Sequence, residues 1–127
     1  MPGRVYVIPA DLTEPPRAVA MEPDLLTVLY REIDTQCLDS TPDIPIAPGV
    51  GIRIWVDDTG LITHPDEHND RAIELARAYG YMAPDFARTV VVTGAAPGDD
   101  TLPENVIRWL DDVFAAAAEA ATGSGLL

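Results

Sequence analysis

The chain reads as a mixed α+β domain of two layers, with about six short, mostly antiparallel strands and three helices, the last long and amphipathic. Three observations predict this. Short β-branched runs such as RVYVI (4–8) and RTVVVTG (88–94) are bounded by Pro, Gly and Asp turns. Between them, LLTVLYREI and RAIELARAY change to helical spacing. Beyond residue 104 an apolar stripe recurs at every third or fourth position.

Taken in order, residues 4–8 form a first strand, and 17–21 return as its hairpin partner after a loop that Pro15-Pro16 keeps from being helical. Leu25, Val28, Leu29 and Ile33 then lie on one face of a short helix, with Pro23 in its first turn. Residues 35–42 are a connector. DIPIA (43–47) and GIRIWVD (51–57) are strands around Pro48-Gly49, with Ile52, Ile54 and Val56 on one face and Arg53, Trp55 and Asp57 on the other. Asp58-Thr59-Gly60 is a tight turn, Gly60 being free to take positive φ, and 61–63 pair back as a strand.

Residues 66–79 make a helix buried through Ala72, Ile73, Leu75, Ala76 and Tyr79 and ended by Gly80. The unbroken Val90-Val91-Val92 places its strand at the sheet centre, buried on both faces. GAAPGDD is a loop, TLPE (101–104) has the form of a capping box, and Val106, Ile107, Leu110, Val113, Phe114, Ala117 and Ala121 stripe the last helix. One domain spans 1–122, with 123–127 a frayed tail.

At 127 residues there is room for one hydrophobic core. No run approaches the roughly 18 apolar residues of a membrane span, and the N-terminus reads as a strand rather than a signal peptide, so a cytoplasmic protein is expected. The single cysteine, Cys37, excludes an internal disulfide and a Cys-based zinc site. Twenty-one acidic residues face eight basic ones, all arginine, for a net charge of −13. Such a chain is unsuited to direct binding of nucleic acid or anionic membrane, since phosphate neutralisation needs clustered cations. The acidity serves solubility, reflects salt adaptation or coding bias, or imitates a polyanion before a nucleic-acid-handling partner.

WVDDTGLITHPDEHND (55–70) is rich in metal-ligand side chains: His64, Asp66, Glu67, His68 and Asp70. Pro65, however, disfavours helical geometry at His64, HExxH is absent, and Leu61 stands where a calcium loop from Asp57 needs a ligand. Asp66 and Glu67 suit a helix N-terminus without any ion. The loop GAAPGDDT has neither GK[ST] nor GxGxxG, and Asp99-Asp100 repel phosphate. Adjacent acids on a strand or helix point apart, no GxSxG elbow is present, and Cys37 has no base beside it in the sequence. No catalytic residue, metal or cofactor is therefore expected. Arg53 and Trp55 on one strand face are a candidate contact surface if no helix covers them, and Asp57, Asp58, Asp99, Asp100, Asp111 and Asp112 are candidate contributors of charge.

WVDDTGLITHPDEHNDRA and RTVVVTGAAPGDDTLP combine an aromatic strand, a D-x-G-L turn, N-x-x-A opening a helix, and a T-V-V-V-T-G strand with its G-D-D loop. This resembles domain-of-unknown-function family 3846, small proteins of phages, plasmids and their bacterial hosts. LLTVLYREID is similar to that family's L-x-x-L-Y/Q-x-x-I helix. The likeness covers about residues 20–104 and leaves out the N-terminal hairpin and the long last helix. It puts the N-x-x-A asparagine at Asn69, where a side-chain bond to backbone at a helix start is the physical expectation. It implies a mobile-element accessory setting and transfers no reaction. The expectation is thus a non-enzymatic accessory protein that binds and modulates a host macromolecule, one form being an acidic inhibitor of a nucleic-acid-handling or defence protein. The alternatives are a nucleotide-binding protein using Arg53, Trp55 and the loop at 94–101, and a homo-oligomer joined through the last helix.

Overall fold

Alternation along the strands dictates where the helices must go. The computed structural model describes residues 3–35, 37–82, 85–95 and 100–125. The elements are β1 (Arg4–Ile8), β2 (Arg17–Ala20), α1 (Leu25–Ile33), β3 (Leu38–Ser40), β4 (Ile44–Ala47), β5 (Val50–Asp57), a one-turn α2 (Gly60–Thr63), α3 (Asp70–Ala78), β6 (Val90–Gly94) and α4 (Glu104–Gly125). This is an α+β domain with three helices of nine or more residues and a six-stranded antiparallel sheet, ordered β2-β1-β6-β5-β3. β4 pairs with the first half of β5, alongside β3 on the same edge. β6 is central and buried throughout, as its valine run predicts.

Tyr6, Ile8, Ile52, Ile54, Val90 and Val92 face α3 and α4, meeting Ala72, Ile73, Leu75, Val106, Ile107, Leu110 and Phe114. Val5, Val7 and Val91, the intervening residues, face the other way and are covered by Val28, Leu29 and Ile33 of α1. The expected two layers are therefore three, because β1 and β6 are apolar on both sides and each side needs a cover. Each fully buried Val, Leu or Ile contributes roughly 1.5–3 kcal/mol, so both faces matter to stability.

Several local expectations are corrected. Residues 61–63 are helical rather than a strand: β3 takes one edge of Trp55–Asp57, and the amides of Thr63 and His64 bond back to the carbonyls of Thr59 and Gly60. Gly60 does not take positive φ; it sits in a tight place, where a Cβ would lie 3.3 Å from that of Ala87 and 3.4 Å from that of Asp57. The connector at 35–42 contains β3. Asp24 caps α1 by accepting from the Thr27 amide, so Pro23 precedes the helix instead of opening it. α3 starts at Asp70, after Asn69 as its cap, while 64–67 form a separate turn closed by the Glu67 amide on the His64 carbonyl. Gly80, at φ +87, does end the α3 segment. The TLPE box does not cap at Thr101: α4 begins at Glu104, whose carboxylate pairs with Arg4 across the domain. α4 also runs to Gly125, past the expected boundary at 122. Its stripe is buried in its own subunit at Val106, Ile107, Leu110 and Phe114, whereas Ala115–Ala118 are exposed.

Candidate interaction surface

At the end of β5 the chain must turn, and Asp57 organises that turn. Its Oδ1 accepts from the Thr35 hydroxyl (2.8 Å) and from the Thr59 amide and hydroxyl (both 3.0 Å). Its Oδ2 accepts from Arg88 Nη1 at 3.1 Å. Burial pushes the carboxyl pKa up, yet the Thr35, Thr59 and Arg88 bonds outweigh it and hold the pKa below its ordinary value. A carboxylate so fully engaged is a poor general base and a structural anchor. Arg88 also donates to the Asp34 carbonyl at 3.2 Å, and both Arg88 (φ 65) and Asp34 (φ 55) are left-handed non-glycine residues.

Asn69, wholly buried, is joined to the same junction. Its Oδ1 accepts from the Ala72 amide (3.1 Å), the expected helix-start bond. Its Nδ2 also donates to the carbonyls of Ile8 (2.8 Å) and Arg88 (2.9 Å), tying α3 to β1 and to the approach to β6. Asp57 and Asn69 thus meet through Arg88, a residue that carries no signal in the sequence beyond preceding a strand.

Arg53 and Trp55 do share a face of β5, and the structure engages both. Arg53 donates through Nε and Nη2 to Asp43 Oδ1 (3.1 and 2.6 Å). The Trp55 indole N–H donates to Thr93 Oγ1 at 3.0 Å, and the half-buried ring packs at the margin of the α1 core. Asp58 is exposed, and its amide donates to the Cys37 carbonyl. The Asp100 carbonyl accepts from the Gly94 amide, while Asp99 lies outside the described residues. Asp111 accepts from the buried Tyr6 hydroxyl (2.8 Å), and Asp112 is exposed.

The histidine stretch does not converge. His64 bonds Thr63 and stands 3.9 Å from Glu67, whereas His68 faces Asp85 at 3.5 Å. Among the described residues no group of three or more His, Cys, Asp or Glu is placed to hold a metal ion, and no helix is long and apolar enough to cross a membrane.

Two features were not foreseen. Seven of the eight arginines are engaged within the chain: Arg4 by Glu104, Arg17 and Arg31 by Glu32, Arg53 by Asp43, Arg77 by Asp85, Arg88 by Asp34 and Asp57, and Arg71 by backbone carbonyls. Carboxylates such as Glu22, Asp39, Asp58, Asp66, Glu74 and Asp112 remain exposed. Second, the β4–β5 hairpin borders two adjoining clefts. One, of about 420 Å³, lies between Pro45, Gly49 and Gly51 and the segment Gly94, Ala95, Thr101 and Pro103, with Asp43 at its side. The other, of about 200 Å³, lies between Ile46 and Val50 and the side chains Tyr79, Asn105 and Trp109; Ala47 and Val50 line both.

The chain matches no family model, no curated protein and no solved structure.

Proposed function

We propose that this chain is a non-enzymatic accessory protein of a phage or mobile element that binds a basic surface of a host macromolecule and modulates it. The observation that carries this reading is the internal use of seven arginines, which leaves the excess of carboxylates facing solvent. An exterior of one sign steers a partner of the opposite sign and weakens with added salt. A nucleic-acid-handling or defence protein, with its phosphate-binding surface, is the partner class this chemistry suits. The resemblance over residues 20–104 supports the mobile-element setting.

The test is a pull-down with the tagged chain from nuclease-treated host lysate at low and high salt, repeated with a variant in which exposed acids are amidated (Asp39→Asn, Asp58→Asn, Asp66→Asn, Asp112→Asn). Capture of a DNA-handling or defence protein that is shed at high salt, lost in the variant and displaced by duplex DNA is expected. Capture indifferent to salt and to the variant overturns the reading.

A second reading, nucleotide binding beside the loop at 94–101, draws on the larger cleft, which Gly94, Ala95 and Thr101 border. Its phosphates would need Arg53, which Asp43 holds, so Arg53 must change partners. Thermal stabilisation by one nucleotide in a panel, absent in Arg53→Ala, is its signature.

A further inference from the structure

We infer that the groove beside the β4–β5 hairpin is a docking site for a short, extended peptide segment that combines apolar residues with an arginine or lysine. This goes beyond the charge-based reading, since a partner could meet the acidic exterior without entering the groove.

Shape is the first argument. The two clefts are open to solvent and share Ala47 and Val50 as lining residues, so they adjoin along the hairpin rather than forming one enclosed chamber. An extended chain, advancing about 3.3 Å per residue, can enter both adjoining clefts at once, whereas a compact ligand occupies one. Gly49, Gly51 and Gly94 contribute no side chains to the larger cleft, so a peptide backbone can come close to them.

The walls are the second argument. Tyr79 and Trp109 meet edge to face, with ring centroids 5.6 Å apart and planes at 77°, and both rings pack against the main core. They are held in place before any ligand arrives, which lowers the entropic cost of binding. Ile46, Val50 and Val106 continue the apolar surface, and the exposed Asn105 amide can both donate to and accept from a peptide backbone.

Charge selects among peptides. Among the described residues that line the two clefts, Asp43, at the larger one, is the one acidic side chain, and none is Lys, Arg or His. Glu104 follows Pro103 at the edge, and Asp112 stands one turn beyond Trp109 on α4. Arg4 and Arg53 offset part of this charge, but the chain total is −13. An anionic segment meets no cation among the described lining residues, whereas a guanidinium or ammonium can join Asp43 at Oδ2, since both Arg53 bonds go to Oδ1.

The experiment pans a random octapeptide display library against the full chain, with Ala47→Trp as counter-selection. Ala47 is exposed, so the larger ring fills the junction of the two clefts without entering the core, and an unchanged melting temperature confirms the fold. Synthetic versions of the enriched peptides are then titrated into a Trp55→Phe background, where Trp109 is the remaining tryptophan and its emission reports occupancy. Expected are sequences with apolar residues and at least one Arg or Lys, a saturable shift of Trp109 emission, at least tenfold weaker binding to Ala47→Trp, and about threefold weaker binding to Asp43→Asn. No enrichment over the counter-selecting variant, enrichment without basic residues, or binding that leaves Trp109 emission unchanged each overturns the inference. A salt-sensitive partner still captured by Ala47→Trp would support the charge-based reading by itself, so failure of the groove in the panning and failure of that reading are told apart.

Discussion

The buried Asp57 carboxylate and the Arg88 guanidinium meet at 3.1 Å where the ends of α1 and β5 converge on the approach to β6. Two left-handed non-glycine residues, Asp34 and Arg88, flank this contact, each at a backbone cost of about 1 kcal/mol or more. The pair holds the turn that such backbone requires. Asp57→Ala removes the acceptor of Thr35 and Thr59 and the nearer carboxylate of Arg88, and is expected to lower stability by about 3 kcal/mol, because a mostly buried guanidinium keeps only the more distant, exposed Asp34. Urea denaturation of the single and double Asp57→Ala/Arg88→Ala variants measures this, and additive effects would show that the contact contributes nothing of its own.

The same group sets an acid limit. Its native pKa lies below the ordinary 3.8, so the unfolded chain takes up the proton first. The stabilisation is whole above that value and is lost as pH falls through the native pKa. Acid titration of stability below pH 3.8 is expected to be shallower in Asp57→Asn than in the parent chain. Curves that stay parallel would remove Asp57 from the acid response.

Asn69 performs two tasks that substitution can separate. Asn69→Ala loses the cap on α3 and leaves two buried carbonyls without donors, at a cost of about 3 kcal/mol. Asn69→Asp keeps an acceptor for the Ala72 amide but turns a carboxylate toward those carbonyls. It is expected to be the less stable of the two at neutral pH and to recover as pH is lowered. If Asn69→Asp matched the parent chain, the cap alone would be what matters.

Tyr6 ties β1 to α4 through Asp111 while its ring stacks on Phe114, with centroids 6.1 Å apart. Tyr6→Phe keeps the stack and loses a hydrogen bond to a charged acceptor, a loss of about 1.5 kcal/mol. Burial, then the Asp111 bond, raise the phenol pKa above its ordinary 10.0. The native state therefore holds this proton more tightly than the unfolded chain, and the contribution present below pH 10.0 declines as pH rises beyond it. Thermal melts between pH 9 and 11 should show a steeper alkaline loss in the parent chain than in Tyr6→Phe.

Arg71 reaches from α3 to the loop between β1 and β2, where Nη2 donates to the carbonyls of Pro9 (2.6 Å), Asp11 (3.0 Å) and Glu14 (2.9 Å). Leu12 stands between them, 70% exposed. Arg71→Ala frees this loop, and limited chymotryptic cleavage after Leu12 is expected to accelerate about tenfold, with Arg71→Lys intermediate. Unaltered cleavage would mean that the loop keeps its shape without the arginine.

Much of the fold was legible because periodicity is a local property. The β1–β2 hairpin, the apolar faces of α1 and α3, the central β6 and the buried stripe of α4 each follow from spacing within one segment. β3 was missed because Leu38–Ser40 is too short to show alternation, and it is a strand through pairing with Trp55–Asp57. Leu61–Thr63 is helical where a strand is expected because β-propensity cannot report that β3 takes an edge of β5 beside the turn.

For the candidate site the division is sharper. Composition alone determined the acidity, the absence of lysine and the lack of a coherent nucleophile or phosphate-loop motif, since these depend on residue types and near-neighbour spacing. Only the tertiary structure decided that Asp57 and Asn69 meet through Arg88, that Trp55 serves the α1 core, and that seven arginines are spoken for. Those contacts join residues far apart in the chain, so their partners are set by sheet order and by which face each helix covers. The groove has the same origin: Asp43, Val50, Tyr79, Gly94 and Trp109 belong to separate segments, and their surfaces become one only when the hairpin folds against α4.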